Sequence, residues 1–124
     1  MKDPNCLFCK IVAGEESSEK VWENEEFLCI QNKYPVAPTH VLVMPKSHIR
    51  KQEVATPAVG GASSPYKNGE FWGKMMAAVF EVVRQLGLDK TGYKLVNNGA
   101  GYNHFEHEHV HVMGGSKTEP GGTT

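Results

Sequence analysis

The chain has 124 residues, of which 40% are hydrophobic and 22% are charged, and its formal net charge is −1. This length fits one compact domain with a real core, and the composition excludes an intrinsically disordered chain. The nearly balanced charge argues against a broad nucleic-acid-binding surface, although a small phosphorylated ligand needs only a few donors.

No stretch approaches the roughly 20 apolar residues of a membrane-spanning helix, and residues 1–10 lack the apolar region of a signal peptide. We therefore expect a cytoplasmic protein with no membrane partner. The three cysteines are an odd number, which argues against a disulfide framework.

The first half of the chain predicts a short helix and three strands. The segment "CLFCKIV" (6–12) forms the helix, and "KVWEN" (20–24) and "EEFLCIQN" (25–32) form two strands joined by a polar turn. The prolines of "KYPVAPTH" (33–40) break regular structure, and "HVLVMP" (40–45) forms a buried strand that Pro45 ends. Cys29, in an apolar run, is expected to be a buried thiol.

The second half predicts one long helix and two more strands. Residues 54–69 are rich in Gly, Pro, Ser and Ala and predict a loop. Apolar residues then recur every three or four positions over 71–86, which is typical of an amphipathic helix, and Gly87 can cap its end. Strands follow at "TGYKLVNN" (91–98) and "HEHVHVM" (107–113), separated by the glycine loop "GAGYN" (99–103).

These elements predict an α+β fold, with an antiparallel sheet of about five strands, one long helix and a short N-terminal helix. We expect a single domain over residues 1–115 and a flexible C-terminal tail over residues 116–124.

The segment "HFEHEHVHVMGG" (104–115) contains four of the six histidines. Residues at i, i+2 and i+4 of a strand share one face, so His107, His109 and His111 are predicted to form a row of imidazoles. Such a row has three interpretations, namely a polar strand face, part of a metal site, or a site for phosphoryl chemistry. Parallel imidazoles converge poorly on tetrahedral zinc, whereas one ring can attack phosphorus while its neighbour donates to the phosphate oxygens. We favour phosphoryl chemistry.

This segment resembles the signature of the histidine triad (HIT) superfamily, H-x-H-x-H followed by two apolar residues. The blocks "CLFCKIVAGE", "APTHVLVMPKSHI", "LVNNG" and "HVHVMGG" are similar, in order, to those of the branch that hydrolyses nucleoside phosphoramidates. The resemblance covers nearly the whole chain except residues 51–69 and the tail, and it implies a HIT-like fold.

The resemblance also implies roles for individual residues. His109 would be the nucleophile, His111 would hydrogen-bond the α-phosphate, and His40 would lie beside the site. For His109 to attack through one ring nitrogen, the other must donate a hydrogen bond, and a backbone carbonyl is the expected acceptor. The substrate would be a purine nucleotide or nucleoside phosphoramidate, bound by a homodimer. The residues implied in nucleotide binding are Asn32, Asn97, Gly101, Asn103, His109 and His111.

Three positions depart from the family pattern. Asn32 stands where the phosphoramidase branch often has aspartate, which blurs the choice of substrate. Glu108 stands in a normally apolar position, so we expect its carboxylate to lie near the rim or to be paired. His104 stands where relatives often have a serine, and it is either a general acid for the leaving group or a surface histidine.

Cys6 and Cys9 form a C-x-x-C pair, which can chelate zinc, form a redox disulfide or remain as two thiols. No βαβ context supports a thioredoxin-like role. The chain is similar to zinc-bearing bacterial HIT proteins, which implies that His48 and His107 complete a structural Cys₂His₂ zinc site. Such a closed site would not activate water, so no catalytic metal is needed.

The sequence therefore predicts a HIT-type nucleotide hydrolase or transferase. It would cleave a P–N or P–O–P bond through a nucleotidyl-His109 intermediate and release a nucleoside monophosphate. Three alternatives remain open: a dinucleoside polyphosphate hydrolase, a nucleotide-binding or scaffolding module with little turnover, and a metal-handling protein.

Overall fold

The computed structural model describes residues 5–50, 69–99, 101–102 and 106–120. Within these ranges the chain forms three helices and five strands. In chain order they are α1 (Leu7–Val12), β1 (Lys20–Glu23), β2 (Phe27–Gln31), β3 (Thr39–Pro45), α2 (Glu70–Gln85), α3 (Leu88–Thr91), β4 (Tyr93–Val96) and β5 (Val110–Gly114). None of these helices is long and apolar enough to cross a bilayer.

The five strands form one antiparallel sheet in the order β1-β2-β3-β5-β4. Strand β3 lies at the centre and β1 and β4 lie at the two edges. The pairing of β3 with β5 places His40 opposite Met113 and Leu42 opposite His111. The predicted α+β class and the five-stranded antiparallel sheet are confirmed.

Alternate residues of the central strands point to opposite faces of the sheet, and a helix packs against each face. Val41 and Val43 pack with residues of α2, whereas Leu42 and Met44 pack with Phe8 and other residues of α1. The same alternation explains why β2 and β3 are apolar at nearly every position. The short helix α1 is therefore held against the sheet by its own core, and this helix positions the two thiols.

The long helix α2 follows the predicted amphipathic pattern. Its buried residues, spaced at three and four, are Met75, Ala78, Val79, Val82 and Val83. Each of the methionine and valine side chains among them contributes roughly 1.5–3 kcal/mol when it leaves water. Gly87 follows the helix with φ of 73°, in the left-handed region that glycine adopts without strain, as predicted.

Helix α3 was not predicted from the sequence. Its four residues are too few to show a periodic pattern, and its packing contacts lie elsewhere in the chain. Leu88 is buried beside Gly114 of β5, where an added Cβ would lie 2.8 Å from Leu88 Cδ2 and 3.0 Å from the Gly92 carbonyl oxygen. This close approach connects α3 to the end of the sheet.

The last strand begins at Val110, whereas the sequence predicted a strand from His107. Pro45, which has no amide hydrogen, ends β3 at the point where the pairing would continue. Its carbonyl oxygen instead accepts a hydrogen bond from the His107 ring at 2.7 Å, and the Glu108 amide donates to the Ile49 carbonyl at 2.7 Å. His107 and His109 therefore precede the strand, and only His111 lies within it.

Several predicted features lie wholly or partly outside the described residues. The loop over 54–69 is described only at Gly69, and Asn103 and His104 lie outside the described ranges. The predicted tail is described as far as Pro120, where Lys94 Nζ of β4 forms an ion pair of 2.7 Å with Glu119. The domain boundary at residue 115 stays a prediction.

Candidate active site and metal centre

The side chain of His109 is held by the main-chain carbonyl of His107, two residues earlier. Its Nδ1 lies 2.8 Å from the His107 carbonyl oxygen, and the ring is buried. Because a carbonyl oxygen only accepts, Nδ1 carries the hydrogen, and the neutral ring keeps its lone pair on Nε2. A backbone carbonyl was the expected partner, and because Nδ1 is the donor, the lone pair that a nucleophile needs lies on Nε2.

A second pair of histidines, His40 and His111, is connected by a chain of directed hydrogen bonds. The Val36 amide donates to His40 Nδ1 at 3.0 Å, so the neutral His40 ring carries its hydrogen on Nε2. That Nε2 lies 2.9 Å from His111 Nδ1 and donates to it. Burial lowers the pKa of His40 below its ordinary value, which favours this neutral form. In the neutral His111 ring, Nε2 then carries the hydrogen as a donor.

The three rings of the triad are arranged side by side although two of them precede the strand. Phe8 of α1 contacts the His107 ring at a centroid distance of 5.6 Å and the His109 ring at 5.1 Å, both edge-on. The His109 and His111 rings are 5.2 Å apart. The predicted row of imidazoles is therefore present on the α1 side of the sheet.

Asn32 lies beside the His40–His111 pair at the end of β2. Its Oδ1 accepts a hydrogen bond from the Tyr34 amide at 2.8 Å, which turns Nδ2 towards His40, 3.2 Å from Nε2. The side chain is half-buried, and since His40 Nε2 carries a hydrogen in the neutral ring, this contact between two nitrogens is a close approach and not a hydrogen bond. Asn32 is thus close to His40, which the resemblance placed beside the site.

The side chains of Asn97 and Glu108 are in contact next to the main chain of His109. Glu108 is only 2% exposed, and its Oε2 accepts a hydrogen bond from Asn97 Nδ2. The same nitrogen donates to the His109 carbonyl oxygen at 2.9 Å. The expectation that Glu108 is paired is confirmed. Gly101, in the glycine loop, is exposed with φ of 100°.

The four residues of the proposed metal site come together at the N-terminal end of α1. The ligand atoms of Cys6, Cys9, His48 and His107 all lie within 4.8 Å of one another. His107 Nδ1 is 3.3 Å from Cys6 Sγ and 3.6 Å from Cys9 Sγ, and His48 Nδ1 is 3.4 Å from Cys9 Sγ. Tetrahedral zinc with bonds of about 2.3 Å to sulfur and about 2.0 Å to nitrogen needs a separation of about 3.6 Å. The donor set therefore fits such an ion.

Local structure explains how the ligands converge. Cys6 is the N-cap of α1, and its Sγ accepts a hydrogen bond from the Cys9 amide at 3.4 Å, so both thiols lie on the first turn. His107 Nε2 donates to the Pro45 carbonyl, which leaves the Nδ1 lone pair directed at the thiols. His48 follows β3, and its ring contacts the His107 ring edge-on.

Burial determines the protonation of this cluster. Desolvation lowers the pKa of His107 to about 4, although the Pro45 carbonyl opposes the shift, so the ring is neutral at pH 7. Desolvation also raises the pKa of the Cys6 thiol to about 11. A bound cation would reverse this effect, because metal coordination stabilises the thiolate.

Two parts of the site were not found from the sequence. The Val36 amide, which orients His40, lies between Pro35 and Pro38, and these prolines were interpreted only as breaks in regular structure. Phe8 lies between the two cysteines and supports two histidine rings, yet its sequence signal is that of an ordinary core residue. In both cases the function depends on a contact with a distant part of the chain.

Comparison with known proteins identifies the family. The sequence model of the family described as "HIT domain" matches residues 13–118 of the chain. The chain belongs to the HIT family. Protein HitA of Neisseria gonorrhoeae is 35% identical to it over 111 residues, which cover 89% of this chain and 95% of HitA.

Two further HIT relatives carry names that describe an activity. The HIT family hydrolase of Legionella pneumophila Philadelphia 1, a crystal structure, superimposes with a TM-score of 0.76 at 30% identity, covering 91% of this chain and 95% of that one. Adenylylsulfatase HINT3 of Arabidopsis thaliana is 32% identical over 110 residues, which cover 88% of this chain and 51% of that protein.

Proposed function

We propose that this HIT protein is a nucleotide hydrolase or transferase that cleaves a nucleoside phosphoramidate or a related P–N or P–O–P bond and releases a nucleoside monophosphate. The observation that supports it best is the pairing of two ring nitrogens of opposite character. The Nε2 of His109 has a lone pair, and the Nε2 of the adjacent His111 has a hydrogen. The names of the Legionella hydrolase and the Arabidopsis adenylylsulfatase support the same reaction class.

The proposed reaction has two displacements at phosphorus. In the first, His109 Nε2 forms a bond to the α-phosphorus while the P–N or P–O bond to the leaving group breaks and the leaving group takes the electron pair. The ring becomes cationic, and the His107 carbonyl stabilises its Nδ1–H. In the second, water attacks phosphorus and loses a proton to the solvent, the P–N bond to His109 breaks with its electron pair returning to Nε2, and the nucleoside monophosphate leaves.

His111 would serve both displacements by donating from Nε2 to a non-bridging phosphate oxygen. Its donor is already oriented by His40, so little reorganisation is needed as charge develops on the phosphate. His104 stays a proposed general acid for the leaving group, which needs a proton when it departs as an amine. These roles use no catalytic metal.

Nucleotide binding is proposed for the residues around these histidines. Asn32 lies beside His40 and, with Asn97 and Gly101, would border the ribose and base of a purine nucleotide, and Asn103 would lie near the phosphate. We further propose a cytoplasmic homodimer. The edge strand β4 supports this last proposal, because in the described part of the sheet its outer side has no partner strand.

We propose that Cys6, Cys9, His48 and His107 hold a structural zinc ion. The separation of their ligand atoms and the lone pair on His107 Nδ1 support this assignment. A four-ligand ion would have no open position for water, and its bond to His107 would direct that ring away from phosphate. Zinc would thus stabilise the segment whose carbonyl holds His109.

The test is single-turnover labelling with an adenosine phosphoramidate. Wild-type protein should form an acid-labile adenylyl adduct on His109, and His109→Ala should form none. Glu106→Ala, an exposed residue of the same segment, is the matched control and should label at the wild-type rate. A binding or scaffolding module would bind the nucleotide without forming an adduct. A panel of adenylyl and guanylyl phosphoramidates beside dinucleoside polyphosphates would then separate the substrate classes.

A further inference from the structure

The nucleophile His109 lies outside the ladder of the sheet. Strand β5 begins one residue later, at Val110, so the pairing that fixes the rest of the strand does not extend to His109. A nucleophile must nevertheless be placed accurately, because a misplacement of about 1 Å can cost about 100-fold in rate. Some other interaction must therefore fix this part of the backbone.

Asn97 supplies one such interaction. Its Nδ2 donates to the His109 carbonyl oxygen at 2.9 Å and also to the Glu108 carboxylate. Both partners are acceptors, so the amide must present its nitrogen to them, and the two hydrogens of the amide are both used. The nitrogen of the Asn97 side chain is therefore committed to these two acceptors.

Glu108 determines the orientation of that amide. Glu108 is buried, and its Oε2 is the acceptor that faces the Asn97 amide nitrogen. The Glu108 amide is itself fixed to the Ile49 carbonyl at 2.7 Å. The main chain at Glu108 and His109 is therefore held on one side by Ile49 and on the other by Asn97.

We infer that Asn97 and Glu108 form a positioning pair for the nucleophile. Glu108 orients the Asn97 amide, the amide holds the His109 carbonyl, and the two bonds fix the main chain immediately before the first residue of β5. Neither residue needs to touch the substrate for this role. The inference rests on the proposed function, in which His109 attacks phosphorus.

The test compares Glu108→Val, Glu108→Gln, Asn97→Ala and the double variant Asn97→Ala/Glu108→Val. Valine removes the acceptor, whereas glutamine keeps an acceptor oxygen at the same reach. Glu106→Val, an exposed carboxylate two residues earlier, is the matched control. The measurements are the single-turnover rate of adduct formation on His109, the dissociation constant of adenosine monophosphate, and the ¹⁵N spectrum of the His109 ring.

Glu108→Val and Asn97→Ala should each slow adduct formation about tenfold, and Glu108→Val should do so with less than a twofold change in nucleotide affinity. The double variant should be no slower than the slower single variant, because the residues act as one unit. Glu108→Gln should recover most of the rate. In the ¹⁵N spectrum, the Nδ1–H signal of His109 should exchange faster in Glu108→Val than in wild type or Glu106→Val.

The inference is overturned if Glu108→Val labels within twofold of wild type, if the labelling rate and the nucleotide affinity of Glu108→Val fall in proportion, or if the losses add in the double variant. Failure of the proposed function is distinguishable, because wild-type protein would then form no adduct. In that event the ring spectrum still tests the positioning pair, since it needs no turnover.

Discussion

His40 and His111, which are 71 residues apart in the sequence, share a hydrogen bond of 2.9 Å between Nε2 and Nδ1. The Val36 amide determines its direction, because it donates to the other nitrogen of His40. A main-chain amide in a proline-rich turn therefore decides which nitrogen of His111 can donate to a phosphate. Because this hydrogen bond determines the tautomer of His111, replacing His40 tests that tautomer.

Replacing His40 should lower activity through His111. His40→Leu cannot donate to His111 Nδ1, so the His111 ring is free to adopt the wrong tautomer, and we expect kcat to fall about 10- to 100-fold. His40→Gln can place an amide N–H near the same nitrogen and should lose less. The measurement is steady-state hydrolysis of an adenosine phosphoramidate. Equal losses in the two variants would contradict a role for the hydrogen bond.

Acidification should destabilise the protein through His40. Burial lowers the pKa of His40, so the folded state resists a proton that the unfolded chain accepts below about pH 6.5. Its contribution to stability is fully present above that pH and is lost as the pH falls through the lowered pKa. Urea unfolding from about pH 8 to about pH 5 should therefore show a steeper loss for wild type than for His40→Gln. Parallel curves would contradict the assignment.

Removing one thiol should remove the proposed zinc. Purified protein should contain about one equivalent per chain, and Cys9→Ser should contain far less and unfold at a lower temperature. Cys29→Ala is the matched control, because Cys29 is equally buried but packs in the α2 core, away from the four ligands. Metal analysis decides the question. Wild-type protein with less than about half an equivalent would contradict the site.

A methyl group at Gly114 should destabilise the fold. It would lie 2.8 Å from Leu88 Cδ2 and 3.0 Å from the Gly92 carbonyl oxygen, so in Gly114→Ala the buried Leu88 side chain and the Gly92 main chain must shift. We expect a loss of about 1–3 kcal/mol in the free energy of unfolding. At Gly99 no atom lies within 4 Å of an added Cβ, and Gly99→Ala should change stability by less than about 0.5 kcal/mol. Chemical denaturation measures both, and equal effects would contradict the close approach.

Much of the architecture followed from local patterns in the sequence. The apolar spacing over 71–86 predicted α2, and the buried run "HVLVMP" predicted β3 to within one residue of its observed start at Thr39. Cys6 and Cys9 were expected on one helical turn. These predictions were confirmed because each depends on residues within a few positions of one another, where periodicity and chain geometry control the structure.

The start of β5 and the existence of α3 could not be predicted in this way. The alternation of histidines predicted a strand from His107. In the structure the His107 ring instead forms a hydrogen bond to the Pro45 carbonyl, and the strand pairing begins at Val110. Helix α3 has too few residues for a period and depends on the contact of Leu88 with β5. Both outcomes depend on partners that lie far away in the chain.

The sequence by itself determined which residue types were present for chemistry, namely three alternating histidines, a C-x-x-C pair and a histidine at the start of the central strand. Only the tertiary structure decided what each could do. It assigned a lone pair to His109 and a hydrogen to His111, and it buried Glu108 against Asn97. The reason is that the position of a proton on an imidazole depends on the groups that face its two nitrogens. Packing brings those groups together, and no local pattern in the sequence specifies which of them will meet.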